Sequence, residues 1–520
     1  MTFGQFLLVA VLAVPALGAV VVAVLPHDRA ARLVGVAVAA LTLAGTALLA
    51  TGPRSWTAYT ATEPAVLPWH RVDVPWVPAL ELRFHLGVDG ISYPLVVLTA
   101  LLTLLCCGYT LWRVPGGGSG RALVALLLVI EVGILGTFLA LDLVLFFLFF
   151  EVVLLPMYAV IAGWGGTAGT GMARRHATYQ PVDRDAARAA ARKFALYTLA
   201  GSVLLLVGVY VVVSAAGTAD LTTLTGGTGL SRGTQLAAFT LLGLAFAVKS
   251  PLWPLHTWLP DAHTQAPTVG SVILAGVLLK MGTYGLIRVA VGVAPEGARW
   301  AAPVLGVLAV AAIVVGSLVC LAQDELKRLI AYSSVGHMGF VLLGIATLTT
   351  TGIQAALIGN VAHGVITGLL FFLAGAVKDR THTGALADLS GLRETAPRLA
   401  GLLAFAAVAS LGLPGLAGFW GEAFAVVAAI QVGGPLWTTL GVLGAVGAAL
   451  TAAYFLRLLR RVTHGRPSPA VAGITPGIAV PELVAWAPLV LLALVIGLVP
   501  ALVLGVAETP VAALVEVVRP

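Results

Sequence analysis

Apolar runs of about 20 residues follow one another along the whole chain, parted by short polar or glycine-rich segments. Twenty residues at the α-helical rise span a hydrocarbon core about 30 Å thick, so each run reads as a transmembrane helix. The pattern predicts about 14 spans. They fall at roughly 4–24, 31–51, 90–112, 121–140, 143–163, 194–215, 235–259, 267–290, 300–321, 329–348, 352–377, 399–430, 436–458 and 484–506. The expected fold class is an all-α polytopic membrane protein, with residues 1–520 forming a single integral membrane domain. Two longer connections stand out: a Trp- and Pro-rich one at about 52–88 and an Arg-rich one at about 164–193.

Two of the runs carry helix breakers in mid-course. The seventh holds Lys249, Ser250 and Pro251, followed by Pro254. The twelfth holds Gly412, Pro414, Gly415, Gly418 and Gly421 just ahead of Glu422. Proline removes a backbone donor and glycine loosens a helix, so both spans are expected to be discontinuous. Backbone groups freed at that depth must be satisfied by protein or water. The two breaks lie five spans apart. Five is odd, so a five-helix unit would recur upside down, as in transporters built from inverted repeats. The predicted units are 121–290 and 300–458. Two unrelated kinks are the plainer alternative, but an ionisable residue adjoins both breaks.

Composition narrows the class. The 520 residues are 59% hydrophobic and 10% charged, with a mean hydropathy of +1.02. Soluble domains average about 25% charged residues, so little room is left for one. A net charge of +7 could mark a nucleic-acid binder in a soluble protein; here it reads as loop arginine. Alternating the connections from an external N-terminus puts 20 Lys and Arg inside and 7 outside, the other two of the 29 being Lys249 and Lys280. The positive-inside rule then places both termini outside. No Lys or Arg precedes the first apolar run, so it is read as a retained helix and not a signal peptide. The three cysteines lack metal-ligand spacing, and no metal site is indicated.

The candidate chemistry lies in charges that interrupt the apolar runs. Glu151 sits in the fifth span, Lys249 in the seventh, Lys280 in the eighth, His337 in the tenth, His363 in the eleventh and Glu422 in the twelfth. A charge at that depth costs a few kcal/mol, and such groups mark proton or ion relays. Lysine, unlike arginine, can release its proton when its surroundings disfavour the cation. Histidine titrates near neutrality. All six fall near one depth on different helices, which predicts an axis parallel to the membrane plane. Glu151 and Lys249 are expected to pair, with Lys280, His337 and His363 as carriers and Glu422 as the terminal group. Glu131 is a further candidate. Asp142, near a span end, reads as solvated. His256 and His263 flank Pro260 and Asp261 and are candidates for a water-filled entry. For any one of these residues a structural ion pair or a core histidine is the plainer reading; the set of six favours a relay.

The stretch 249–271, KSPLWPLHTWLPDAHTQAPTVGS, resembles the signature of the antiporter-like subunits of respiratory complex I. So do LLKMGTYG (278–285) and YSSVGHMGF (332–340). FHLGVDGISYPLVVLT (84–99), FFEVVLLPMY (149–158) and GFWGE (418–422) resemble the M-type subunits of bacterial NADH-quinone oxidoreductase. The likeness is weakest over the first 80 residues and after about 465. Glu422 bears on the subtype, since the L and N subunits usually carry lysine there. The resemblance implies 14 helices, two inverted units and a proton channel through the six residues named above. It also implies a bacterial cell membrane and no cofactor or redox catalytic residue in this chain. FMN, iron–sulfur clusters and quinone would belong to partner subunits, and the L and N subunits would be neighbours. A stand-alone sodium/proton antiporter subunit, a hydrogenase-linked membrane arm and an assembly scaffold remain alternatives.

Overall fold

The computed structural model describes residues 2–50, 68–78, 82–116, 118–166 and 183–519. Most of the Trp- and Pro-rich connection, and Arg174 and Arg175 of the Arg-rich one, lie outside the described residues.

Seventeen helices of six or more residues order the described residues, when the π-helical turns are joined to the helices they continue and the interruption at Val153 is bridged. They are α1 (Phe3–Val24), α2 (Asp28–Leu48), α3 (Tyr93–Trp112), α4 (Gly120–Leu139), α5 (Leu143–Trp164) and α6 (Arg184–Ala216). The first interrupted span follows as α7 (Arg232–Lys249) and α8 (Trp258–Gln265), then α9 (Thr268–Val291), α10 (Pro295–Ala322), α11 (Leu326–Ala346) and α12 (Thr350–Thr381). The second interrupted span is α13 (Pro397–Ser410) and α14 (Ala417–Val432), followed by α15 (Gly434–Thr463), α16 (Val480–Leu498) and α17 (Ala501–Val518). Among the described residues, thirteen helices are long and apolar enough to cross a membrane.

The breaks fall where proline and glycine placed them. The chain leaves helical geometry after Lys249 and resumes at Trp258, leaving Pro251 and Pro254 between. It leaves again after Ser410 and resumes at Ala417, with Gly412 and Gly415 at φ of +77° and +90°. Those left-handed values favour glycine, which has no Cβ to clash. Pro414 lies between the two glycines.

Three features differ from the sequence expectation. The last run, expected as one span at 484–506, is divided between α16 and α17. Val499 stands extended ahead of Pro500, whose ring disfavours helical geometry in the preceding residue. An antiparallel hairpin, β1 (His70–Val77) and β2 (Leu82–Val88), occupies a connection in a chain expected to be all helical. Its β-branched and aromatic residues suit a half-buried ribbon. Helix α5 is interrupted at Val153, beside Glu151, because Pro156 cannot donate to the preceding turn.

The hairpin pins one face of the bundle. Arg71 O accepts from Gln5 Nε2 at 3.0 Å, and His85 O accepts from Leu141 N at 2.9 Å. The C-terminus reaches the same face, where Arg299 Nη1 donates to Val518 O at 2.7 Å. Asp73 is held by Arg71 and Arg83 at 2.7 and 2.6 Å. Burial tends to raise its carboxyl, but hydrogen bonds from Arg83 and Arg71 outweigh this and leave it below its ordinary value. Asp220 is likewise pushed up by burial, and the hydrogen bonds of His85 and Thr222 pull it well below the carboxylate range.

Two short clasps of matching construction tie the helix ends. In the first, Leu143 N donates to Ala219 O and Leu221 N to Leu141 O, at 2.8 and 2.9 Å. In the second, Leu326 N donates to Gly384 O and Leu386 N to Asp324 O, both at 2.8 Å. A carboxylate caps the following helix in each: Asp142 accepts from Val144 N and Leu145 N, and Glu325 accepts from Arg328 N. A short helical turn follows each second strand, at Leu221–Leu224 and Leu386–Asp388. Five crossings separate the start of α5 from the start of α11, so the clasps sit on opposite faces.

Candidate proton-relay site

Helix α9 carries Lys280 between two π-helical turns, Leu274–Leu278 and Leu286–Val291. Such turns insert an extra residue and re-aim the side chains around them; they recur at functional sites. Lys280 is fully buried, and its Nζ donates to Ala275 O and meets His363 Nδ1 of α12 at 2.6 Å. The meeting depends on a close backbone approach. A Cβ at Gly364 would stand 2.6 Å from Gly276 O, so glycine at 364 lets α12 settle against α9.

From His363 the line continues by ring contact, with His363 Nε2 left without a hydrogen-bond partner. The His363 and His337 rings lie 5.8 Å apart, edge to face. His337 Nδ1 is 2.8 Å from Glu422 Oε1, and His337 Nε2 is 3.0 Å from Ser410 Oγ. Glycines again set the spacing: a Cβ at Gly421 would stand 2.6 Å from the Gly359 Cα. A small cavity of about 30 Å³ lies along His337, His363, Ser410 and Glu422. About 30 Å³ is the share of liquid that one water occupies. Lys280, His363, His337 and Glu422 therefore form a row of titratable groups, from α9 through α12 and α11 to α14.

The first part of the expected line is built otherwise. Among the described residues no ion pair within 4.0 Å joins Glu151 to Lys249. Glu151 Oε1 instead accepts from Ser202 Oγ of α6. Lys249 Nζ lies over the Phe150 ring, 4.9 Å from its centroid, an arrangement the ring quadrupole favours. Lys249, at the end of α7, thus packs on α5 beside Glu151 without forming an ion pair with it. Ser250 packs against Gly282, which seats this break on α9 two residues beyond Lys280.

The other candidates separate clearly. Glu131 on α4 is fully buried, and neither carboxyl oxygen has a hydrogen-bond partner. Asp142 was expected to be solvated. It is 1% exposed and caps α5, because the first clasp folds over it. His256 lies in the break between α7 and α8, its ring 6.1 Å from Tyr332. His263 lies on α8, fully buried and stacked on Phe371 at 4.4 Å, with neither ring nitrogen bonded. No group of three or more His, Cys, Asp or Glu among the described residues is arranged to hold a metal ion.

Residues 140–448 match the family model described as NADH:quinone oxidoreductase/Mrp antiporter, transmembrane. The chain belongs to this family. NADH-quinone oxidoreductase subunit M of Rhodobacter capsulatus is 40% identical to it over 456 residues, 85% of this chain and 84% of that protein. NAD(P)H-quinone oxidoreductase chain 4 1 of Synechococcus sp. (strain JA-3-3Ab) is 42% identical over 403 residues, 76% and 72% of the two chains. A chain of respiratory complex I from Thermus thermophilus with bound NADH superposes with a TM-score of 0.84 at 28% identity, covering 99% of this chain and all of that one. A chain of the Mrp complex from Dietzia sp. DQ12-45-1b shares the fold, with a TM-score of 0.83 at 23% identity.

Three contacts in this family member escaped residue-type reasoning. Ser202 and Ser410 are hydroxyls in apolar helices, where most such groups simply bond their own backbone. Nothing in their spacing distinguishes the two that meet a relay residue. Asp89 and Arg288 form a fully buried pair between the start of α3 and α9, with Arg288 also lying over Tyr284. Arg288 lies three residues inside the end of α9, under the loop that carries Asp89.

Proposed function

We propose that this chain is the M-type, proton-translocating membrane subunit of a bacterial NADH-quinone oxidoreductase. Electron transfer would occur in partner subunits that carry FMN, iron–sulfur clusters and quinone. Neighbouring antiporter-like L and N subunits would flank it in the cell membrane. Identity of about 40% to subunit M over most of both chains supports this subtype. The likeness to the Mrp complex is one of fold alone, so a stand-alone sodium/proton antiporter is the weaker reading.

The observation that supports the relay is the row from Lys280 to Glu422, hydrogen-bonded at Lys280–His363 and His337–Glu422 and joined between them by the edge-to-face contact of the two histidine rings. Glu151 and Lys249 would act ahead of it, with Lys249 donating when its distance from Glu151 changes. The discontinuities around Pro251, Pro254, Pro414 and Gly415 would place polar backbone beside this row. Matching clasps on opposite faces support two inverted units at 121–290 and 300–458. The arginine-rich face would be cytoplasmic, with both termini on the outer one.

His337→Phe tests the reading, since it keeps the ring and removes both polar contacts. In the assembled enzyme, reconstituted in liposomes, proton uptake per NADH oxidised is expected to fall. Unchanged uptake with normal assembly would overturn the row as a conduction path.

A further inference from the structure

Away from the relay, a cleft of about 270 Å³ opens at the start of α6, where α8 and α11 converge. Ala186, Ala190 and Lys193 line it from α6, Asp261 and Thr264 from α8, and Arg328 from α11. Asp261 bridges the two cations, 2.7 Å from Lys193 Nζ and 3.4 Å from Arg328 Nη1. Two positive side chains thus share one carboxylate, which leaves the lining with an excess positive charge. An ammonium has three donors and a guanidinium five, and Asp261 satisfies a minority of them. The cleft lies on the arginine-rich face, where α6 enters the membrane.

The same face of α6 continues inward as an apolar stripe. Leu196, Ala200, Val203, Val207 and Tyr210 follow Lys193 at steps of three and four, so they stand in one row with it. All five are exposed, Leu196 to 67% and Tyr210 to 71%. A cationic cleft at the interface running into an apolar row at helical spacing matches one ligand shape. A phosphate would sit between Lys193 and Arg328, with an acyl chain lying along α6.

We infer that this cleft binds an anionic phospholipid, its phosphate held by Lys193 and Arg328 and one acyl chain laid on the Leu196–Tyr210 stripe. Basic pockets between helices on the cytoplasmic side recognise lipid headgroups in this way, each cation contributing a few-fold in affinity. Asp261 orients both cations and weakens the hold on a neutral headgroup too little to exclude it by sterics, so selectivity rests on charge.

The test uses the chain purified by mild detergent with whatever subunits accompany it, then placed in phosphatidylcholine nanodiscs. Two probes are compared: phosphatidylglycerol and phosphatidylcholine, each with a photoreactive diazirine in the acyl chain. Phosphatidylglycerol is expected to label peptides of the 196–210 stripe in preference to phosphatidylcholine. Lys193→Gln and Arg328→Gln should each cut that labelling about fivefold, whereas Lys193→Arg should retain it. Excess inorganic phosphate should compete only weakly, since it lacks the chain. Equal labelling by both lipids would overturn the proposal, as would loss in Lys193→Arg, or a stripe protected by a cross-linked neighbouring subunit.

Discussion

Around Glu151 and Lys249 the nearest partners are neutral, a serine hydroxyl and a phenyl ring, whereas from Lys280 to Glu422 each titratable group touches the next. A charge with only neutral contacts takes its energy from more distant charges, so its state changes when helices shift by small amounts. The second half needs less movement, because its two ends are already bonded and only the His363–His337 step is a ring contact without a bond. In the proposed relay the first half would act as a switch and the second as a wire. Both breaks serve this division: one ends α7 at Lys249, and the other lets Gly421 and Glu422 close on α12.

The division is broken most completely by removing charge from the switch. Glu151→Gln and Lys249→Met, made separately, should abolish proton translocation through this subunit while the enzyme still assembles. Proton uptake by reconstituted liposomes, normalised to NADH oxidised, is the measurement. If either variant pumps normally, charge at that position is not used and the first half is not a switch. The wire should respond to geometry instead. Gly421→Ala would put a methyl group 2.6 Å from the Gly359 backbone. Overpacking of this kind costs about 1–3 kcal/mol and would push α14 off α12. A lowered melting temperature with reduced pumping is expected, and Gly359→Ala, whose Cβ would stand 3.6 Å from the Gly421 Cα, should do less.

A smaller effect distinguishes the two halves more finely. Ser202→Ala removes the hydrogen bond to Glu151 without touching a charge. Bonds to charged groups contribute about 1.5–3 kcal/mol, so Glu151 should be partly freed to approach Lys249. Pumping should persist with an altered pH dependence, which a purely structural serine would not produce. Ser410→Ala, in the wire, should leave the His337–Glu422 contact in place and change the pH dependence less.

The titratable residues of both halves were legible in the sequence because a charge inside an apolar run has few alternative explanations. The breaks were legible for a similar reason, since Pro251 and the Gly412–Gly415 segment cannot continue a helix. The order of contacts was not legible. It depends on which faces meet, and those are set by glycine-to-backbone approaches at 276, 364, 359 and 421 and by the π-helical turns of α9. Neither leaves a hydrophobic period behind. The expected Glu151–Lys249 ion pair was not legible either: Glu151 bonds Ser202 and Lys249 lies over the ring next to it, choices that residue type alone does not decide. The hairpin was hidden because two strands of a short ribbon resemble any loop rich in Val and Pro.

The hairpin offers the mildest way to separate face from core. Asp73 is held below its ordinary value by Arg83 and Arg71, so its charged form is the one that the fold stabilises. For a carboxylate of lowered pKa the contribution is present above the unfolded value, about 3.9, and is lost as pH falls through the folded one. Its ion pairs are half exposed, and such pairs contribute about 0–1 kcal/mol. Below about pH 4 the hairpin should therefore loosen slightly, seen as faster amide exchange at 70–77 and 82–88. Asp73→Asn should show that exchange already at pH 7, with pumping unchanged, because the hairpin braces the ends of α1 and α5 and not the row itself. If Asp73→Asn lowered pumping as much as Ser202→Ala, the hairpin face would be coupled to the switch, and the division between bracing and conduction would have to move to the far side of α5.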